Sequence, residues 1–151
     1  MALHLEFEAI WVTQMRVEQV QSPRPIVAPS SVITDEEAAA MFRATVNLFS
    51  LWKVTDKQAA VLLDLPIRSY ARWKAGATAH WSRDLKARLS NLMGIHKALR
   101  IVFHEAQRAY DWIRAPNSVF GNRSALDVML EGDLTDLMRV RRYLDAERGG
   151  W

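Results

Sequence analysis

WIRAPNSVFGNRSALDVMLEG, Trp112 to Gly132, decides how the chain ends and what it presents. Pro116 pushes the residue before it out of the α region, so Ala115-Pro116-Asn117 must stop any helix running into it. Phe120-Gly121-Asn122 then reads as a turn with one large apolar residue held against it. Ser124 and Asp127 have the spacing of a capping box, in which the serine oxygen caps a helix N–H and the acid reaches back. The helix they open carries Leu126, Met129 and Leu130. Glu131-Gly132-Asp133 ends it, with Gly132 suited to the left-handed conformation.

Downstream, the spacing predicts a last helix from Leu134 to Glu147 that buries Leu134, Leu137, Met138 and Leu144. Arg139, Arg142, Asp145 and Arg148 then point outward, and Arg148-Gly149-Gly150-Trp151 forms a short tail. Upstream, Ser82 opens a helical run with Leu85, Leu89, Leu92 and Met93 on one stripe, and Gly94 is a candidate break. Apolar residues return at Ile95, Leu99, Val102, Phe103, Ala106, Tyr110 and Ile113, which predicts one long helix leading into Trp112.

Nearer the start, Thr34 caps a helix whose first turn is Asp35-Glu36-Glu37, the charge that suits the positive end of the dipole. Ala40, Met41, Ala44, Leu48 and Leu51 are its expected buried stripe, extended by Trp52. Thr55 caps a second helix, Asp56 to Leu63. Asp64-Leu65-Pro66 is a turn, and Pro66 suits the start of a third helix, Ile67 to Lys74, which Gly76 ends. Two helices of about two turns joined by three residues match a helix-turn-helix. Ala59 and Ala60 are small where those helices must approach, and Val61, Leu62, Ile67 and Tyr70 or Ala71 are the expected internal core. The outward side of the third helix is then Arg68, Ser69, Arg72 and Lys74, and arginine is well built for guanine edges and phosphates. Residues 1–33 read as an arm: Leu3, Leu5 and Phe7 alternate with polar residues, and three prolines between Pro23 and Pro29 favour an extended linker.

Charge supports the middle of the chain as a polyanion-binding region. Residues 51–90 hold eight basic side chains (Lys53, Lys57, Arg68, Arg72, Lys74, Arg83, Lys86, Arg88) against Asp56, Asp64 and Asp84, a local balance of +5 where the whole chain carries +3. Such clustering is the footprint of a phosphate-backbone partner, although a solvated helical face has the same composition. The sequence has no cysteine, hence no disulfide framework, no thiolate metal site and no cysteine nucleophile. His4, His80, His96 and His104 have no metal-ligand spacing and read as surface or packing residues. No metal site, cofactor loop or catalytic triad emerges, and no apolar run approaches the roughly 18 residues a membrane helix needs. A soluble, cytoplasmic, non-enzymatic protein is the expectation. Of the six tryptophans, Trp11, Trp52, Trp73, Trp81 and Trp112 suit core or helix junctions, whereas Trp151 follows a glycine-rich tail.

Trp112, Pro116-Asn117, Phe120-Gly121, Ser124-Ala125-Leu126-Asp127, Met129-Leu130, Gly132 and Val140-Arg141-Arg142-Tyr143-Leu144-Asp145 together resemble the C-terminal domain of the Xre/MbcA/ParS family of bacterial antitoxins. The likeness continues through Asn91 to Phe103 and more loosely back to Thr34. It implies an all-α chain: a helix-turn-helix domain over residues 34–92, then a small helical toxin-binding domain over 93–151. It further implies an antitoxin of a type II pair whose partner is a RES-domain toxin, a class that consumes NAD or transfers ADP-ribose from it. In that family the antitoxin covers the toxin's active site and represses its own operon, with operator DNA and a homodimer as further expectations. Candidate DNA-binding residues are Lys57, Gln58, Arg68, Ser69, Arg72, Trp73 and Lys74. Candidate toxin-binding residues are Phe120, Asn122, Arg123, Met129, Arg139, Arg142, Arg148, Gly149, Gly150 and Trp151. Competing readings are a free-standing repressor whose C-terminal domain only dimerises, and a protein-binding adaptor that contacts no DNA. The third helix lacks the Gln or Asn that reads adenine.

Overall fold

The computed structural model describes residues 32–149. The expected arm and its short strand therefore lie outside the described residues, except for exposed Val32 and half-buried Ile33. Among the described residues, seven helices and one very small sheet follow in order: α1 (Asp35–Leu51), α2 (Asp56–Leu63), α3 (Ile67–Lys74), α4 (Arg83–Val102), α5 (Ala106–Arg114), β1 (Pro116–Asn117), a 3-10 turn (Ser118–Phe120), β2 (Arg123–Ser124), α6 (Ala125–Met129) and α7 (Leu134–Glu147). The all-α reading holds, with the two-residue strands as an addition.

Local chemistry sets the helix starts. Thr34 and Glu37 form a reciprocal capping box on α1, at 3.1 and 3.4 Å. Thr55 and Gln58 do the same on α2, and Ser124 and Asp127 on α6. Each such box satisfies two backbone donors at a helix start. Gly132 takes a φ of +97°, as a residue ending α6 must.

Helix α4 is the axis of the molecule. It packs on α1 over one part of its length and on α7 over another. A continuous apolar core runs from Phe42 through Leu89, Leu92 and Ile95 to Leu144. The division between residues 92 and 93 thus falls inside one helix that both units share.

Several expectations need correction. Gly94 does not break α4. A Cβ there would sit 2.6 Å from the Arg141 guanidinium carbon, so the glycine lets α7 cross close by. The long helix stops at Val102 instead. Phe103 becomes extended (φ −107°, ψ 125°) and is buried, and α5 starts afresh at Ala106. On α1 the buried residues are Ala38, Phe42, Thr45, Leu48 and Phe49, while Leu51 is 49 % exposed. The two phenylalanines rotate the helix by about one residue from the expected stripe, because their burial outweighs that of Met41 and Ala44. Within α2 and α3 the core is Ala59, Ala60, Leu62, Leu63 and Tyr70. Val61 and Ile67 are 40 % and 49 % exposed, and Ala71 is exposed too. On α7, Val140 joins Leu137 and Leu144 in the core, and Leu134 and Met138 are only half-buried.

Candidate functional site

Helix α3 is held from beneath by one aromatic nest. Tyr70 is fully buried, with its ring edge-on to Phe42 at 6.0 Å. Burial, helped by the Asp56 carboxylate, pushes the Tyr70 hydroxyl up to about 12. Trp73 is half-buried between Phe42 and Trp81, at 6.4 and 6.0 Å. It therefore serves the nest, and its ring does not stand out as a DNA contact.

The other candidate DNA-binding residues divide. Arg68 and Arg72 are exposed, and neither forms an ion pair among the described residues. Ser69 beside them is half-buried. Lys74 is held by Asp56 at 2.9 Å. Gln58 gives its side-chain oxygen to the cap of α2, accepting from the Thr55 N–H at 3.1 Å. Lys57 is exposed and lines a shallow groove with Val61, Leu65, Ile67 and Asp133. Two more cations of the basic block are already committed. Lys86 meets Asp35 at 2.8 Å. Arg88 is 5 % exposed, bonded to Asp84 at 2.8 Å, and donates to the carbonyls of Leu62 at 3.2 Å and Gly132 at 2.8 Å.

Sequence reasoning counts Arg88 with the basic block and misses its structural role. The signal that could have found it is its place between Leu85 and Leu92 on the buried side of α4, four residues after Asp84. One guanidinium thereby joins the end of α2 to the turn between α6 and α7. Arg114 makes a second such link, donating to the carbonyls of Trp52 and Lys53 at the end of α1. Nothing in the local sequence points to that one.

The C-terminal unit builds its face differently. Strands β1 and β2 pair antiparallel, Pro116 with Ser124 and Asn117 with Arg123. Gly121 and Asn122 both take left-handed conformations, at φ +66° and +64°, and close the loop. The Asn117 side chain accepts from the Val119 N–H at 3.0 Å, and the Asn122 N–H donates to the Asn117 carbonyl at 2.9 Å. Phe120, a candidate contact residue, is instead an anchor. It is 3 % exposed and packs edge-on to Trp112 at 6.5 Å and Tyr143 at 5.5 Å. The rings of Trp112 and Tyr143 lie nearly parallel, and the Arg139 guanidinium sits 5.5 Å above the Phe120 ring. Burial, then the Glu147 charge, raises the Tyr143 hydroxyl. Met129 is also corrected: it is fully buried on α6 and touches no solvent.

Among the remaining candidates, Asn122 on the loop and Arg139 and Arg142 along α7 are all exposed. Arg123 is tied to the Glu131 carboxylate and to the Asp127 carbonyl. Arg148 caps the end of α7 and is half-buried, and Gly149 has a φ of +93°. Gly150 and Trp151 lie outside the described residues. Val119, which sequence reasoning does not single out, is 51 % exposed at the loop tip.

His80 and His104 are exposed. His96 is half-buried, and its Nδ1 has no hydrogen-bond partner among the described residues. Burial first, then Arg100, lowers its pKa. The described residues hold no cluster of metal-ligating side chains and no helix long and apolar enough to cross a membrane.

Two family models match the chain in tandem. The antitoxin Xre-like helix-turn-helix domain matches residues 31–94, and the antitoxin Xre/MbcA/ParS C-terminal toxin-binding domain matches residues 98–150. The Sinorhizobium fredii protein y4oB is 41 % identical over 128 residues, covering 83 % of this chain and 98 % of that one. In the Mycobacterium tuberculosis MbcT-MbcA toxin-antitoxin complex, one chain shares the fold at a TM-score of 0.50 and 24 % identity. The match covers 74 % of this chain and 94 % of that chain. With a helix-turn-helix followed by a toxin-binding domain along one shared helix, this chain belongs to the Xre/MbcA/ParS family of antitoxins.

Proposed function

We propose that the chain neutralises a RES-domain toxin through α6, α7 and the loop before them, and represses its own operon through α3. The observation that carries the DNA half is the pair Arg68 and Arg72, exposed together on a helix whose opposite side is fixed by Tyr70. A fixed helix with outward arginines is the geometry that places guanidinium groups on base edges in a major groove. The toxin half is supported by the C-terminal toxin-binding domain over residues 98–150. The RES class of the toxin rests on the likeness of Trp112–Gly132 and Val140–Asp145 to that family. In this reading the antitoxin performs no catalysis. It acts by occupying its partner, and it pairs as a homodimer to meet two operator half-sites about one DNA turn apart.

Co-expression with the neighbouring gene tests the assignment. The expected result is a co-purifying toxin whose growth arrest the chain reverses, and a complex that shifts DNA from upstream of the operon. If the neighbouring product neither co-purifies nor arrests growth, the assignment fails.

A further inference from the structure

We infer that Val119 is the apolar contact point of the toxin-facing surface, and that it enters an apolar socket edged by carboxylates on the toxin. This rests on the antitoxin reading above and names an atom-level feature of it.

The loop presents two adjacent apolar residues with opposite fates. Phe120 is buried among Trp112, Tyr143 and Arg139, whereas Val119 is 51 % exposed. Exposure alone would say little, since single apolar residues are common on surfaces. Here the exposed residue is also held still. Its own N–H is bound by the Asn117 side chain, its neighbour is anchored in the aromatic cluster, and the left-handed pair Gly121-Asn122 fixes the return strand. A loop whose backbone is fixed before binding loses little entropy when it docks, which is how preorganisation raises affinity.

Charge says what surrounds the socket. Arg139, above the Phe120 ring, and Arg142, one turn further along α7, reach solvent and form no ion pair among the described residues. Arg123 on β2 is already neutralised by Glu131. Arg139 and Arg142 are thus the unpaired cations of this face, with the Glu147 carboxylate beside Tyr143, and partner carboxylates opposite the two arginines complement it.

The test uses the full chain and the toxin co-expressed from the neighbouring gene. Three proteins are compared: wild type, Val119→Asp and Arg142→Gln. Thermal melting, DNA shift, light scattering and toxin affinity are read for each. Val119→Asp should melt and shift DNA like wild type but bind toxin about tenfold more weakly or worse, as loss of an interface hot spot does. Arg142→Gln should bind toxin with a shallower dependence on salt than wild type. Undiminished toxin affinity in Val119→Asp overturns the inference. So does a Val119→Asp protein that loses self-association and keeps toxin binding, because the tip would then face a second copy. An unchanged salt dependence in Arg142→Gln removes the carboxylate rim. If wild type captures no toxin at all, the antitoxin reading itself falls, and the inference with it.

Discussion

Helix α3 and the Pro116–Ser124 loop both carry outward side chains, yet they are held in different ways. In α3 the support is thin: the helix buries only Tyr70 fully, and Trp73 leans half-exposed on Phe42 and Trp81. Its stiffness comes from being a helix. The loop has almost no regular structure and relies on Phe120, locked between Trp112, Tyr143 and Arg139. A regular element presents a row of side chains at fixed spacing, which suits a regular polymer. An anchored loop presents one tip, which suits a socket.

Removing the anchor should have the largest effect. Phe120→Ala takes out the centre of the aromatic cluster and should cost about 3–5 kcal/mol in urea unfolding. Tyr70→Ala should cost as much from the other side, since Tyr70 is equally buried. If Phe120→Ala destabilised the chain by less than about 1 kcal/mol, the loop would be held by its backbone alone.

A smaller effect is expected where the two units join. Arg88→Met leaves the Leu62 and Gly132 carbonyls without their charged donor, which should cost about 2 kcal/mol. Arg88→Lys should recover only part of it, because an ammonium cannot reproduce the guanidinium fork that reaches Asp84 and both carbonyls. Equal stability of wild type and Arg88→Met would show that the units are joined by apolar packing on α4 alone.

The sequence made some of this legible and hid the rest for physical reasons. Capping is local, so Thr34, Thr55 and Ser124 announced their helices. The turn residues Pro116, Gly121 and Gly132 did the same, because backbone conformation is decided within a few residues. Burial is decided by the neighbours. Gly121-Asn122 marks a turn with Phe120 held against it, but the rings that bury Phe120, Trp112 and Tyr143, lie outside that turn. The phase of α1 depends on where Tyr70, Trp73 and Trp81 receive Phe42. Arg88 counted as surface charge because its carbonyl partners are 26 and 44 residues away.

Alkaline titration gives the smallest effect and separates the two regions. Tyr70 in the helix-turn-helix has its hydroxyl raised from 10.0 to about 12, and Tyr143 in the C-terminal unit is raised as well. For a group whose folded pKa is raised, the stabilising contribution is complete below the unfolded value. Stability should therefore be flat up to about pH 10 and then fall towards pH 12 as the unfolded chain releases these protons first. Tyr70→Phe and Tyr143→Phe should each flatten that fall, Tyr70→Phe with no change in toxin affinity. A wild-type fall that both variants retain would place the alkaline sensitivity elsewhere.

The proposed function has DNA and toxin met by separate surfaces of one chain. The most direct measurement compares the Arg68→Ala/Arg72→Ala double variant with wild type, reading operator affinity and toxin affinity on the same preparation. Operator binding should weaken by about 1–3 kcal/mol for each bidentate arginine–base pairing that the substitutions remove, with toxin affinity unchanged. A double variant that shifts operator DNA like wild type, or that releases toxin together with DNA, contradicts the account.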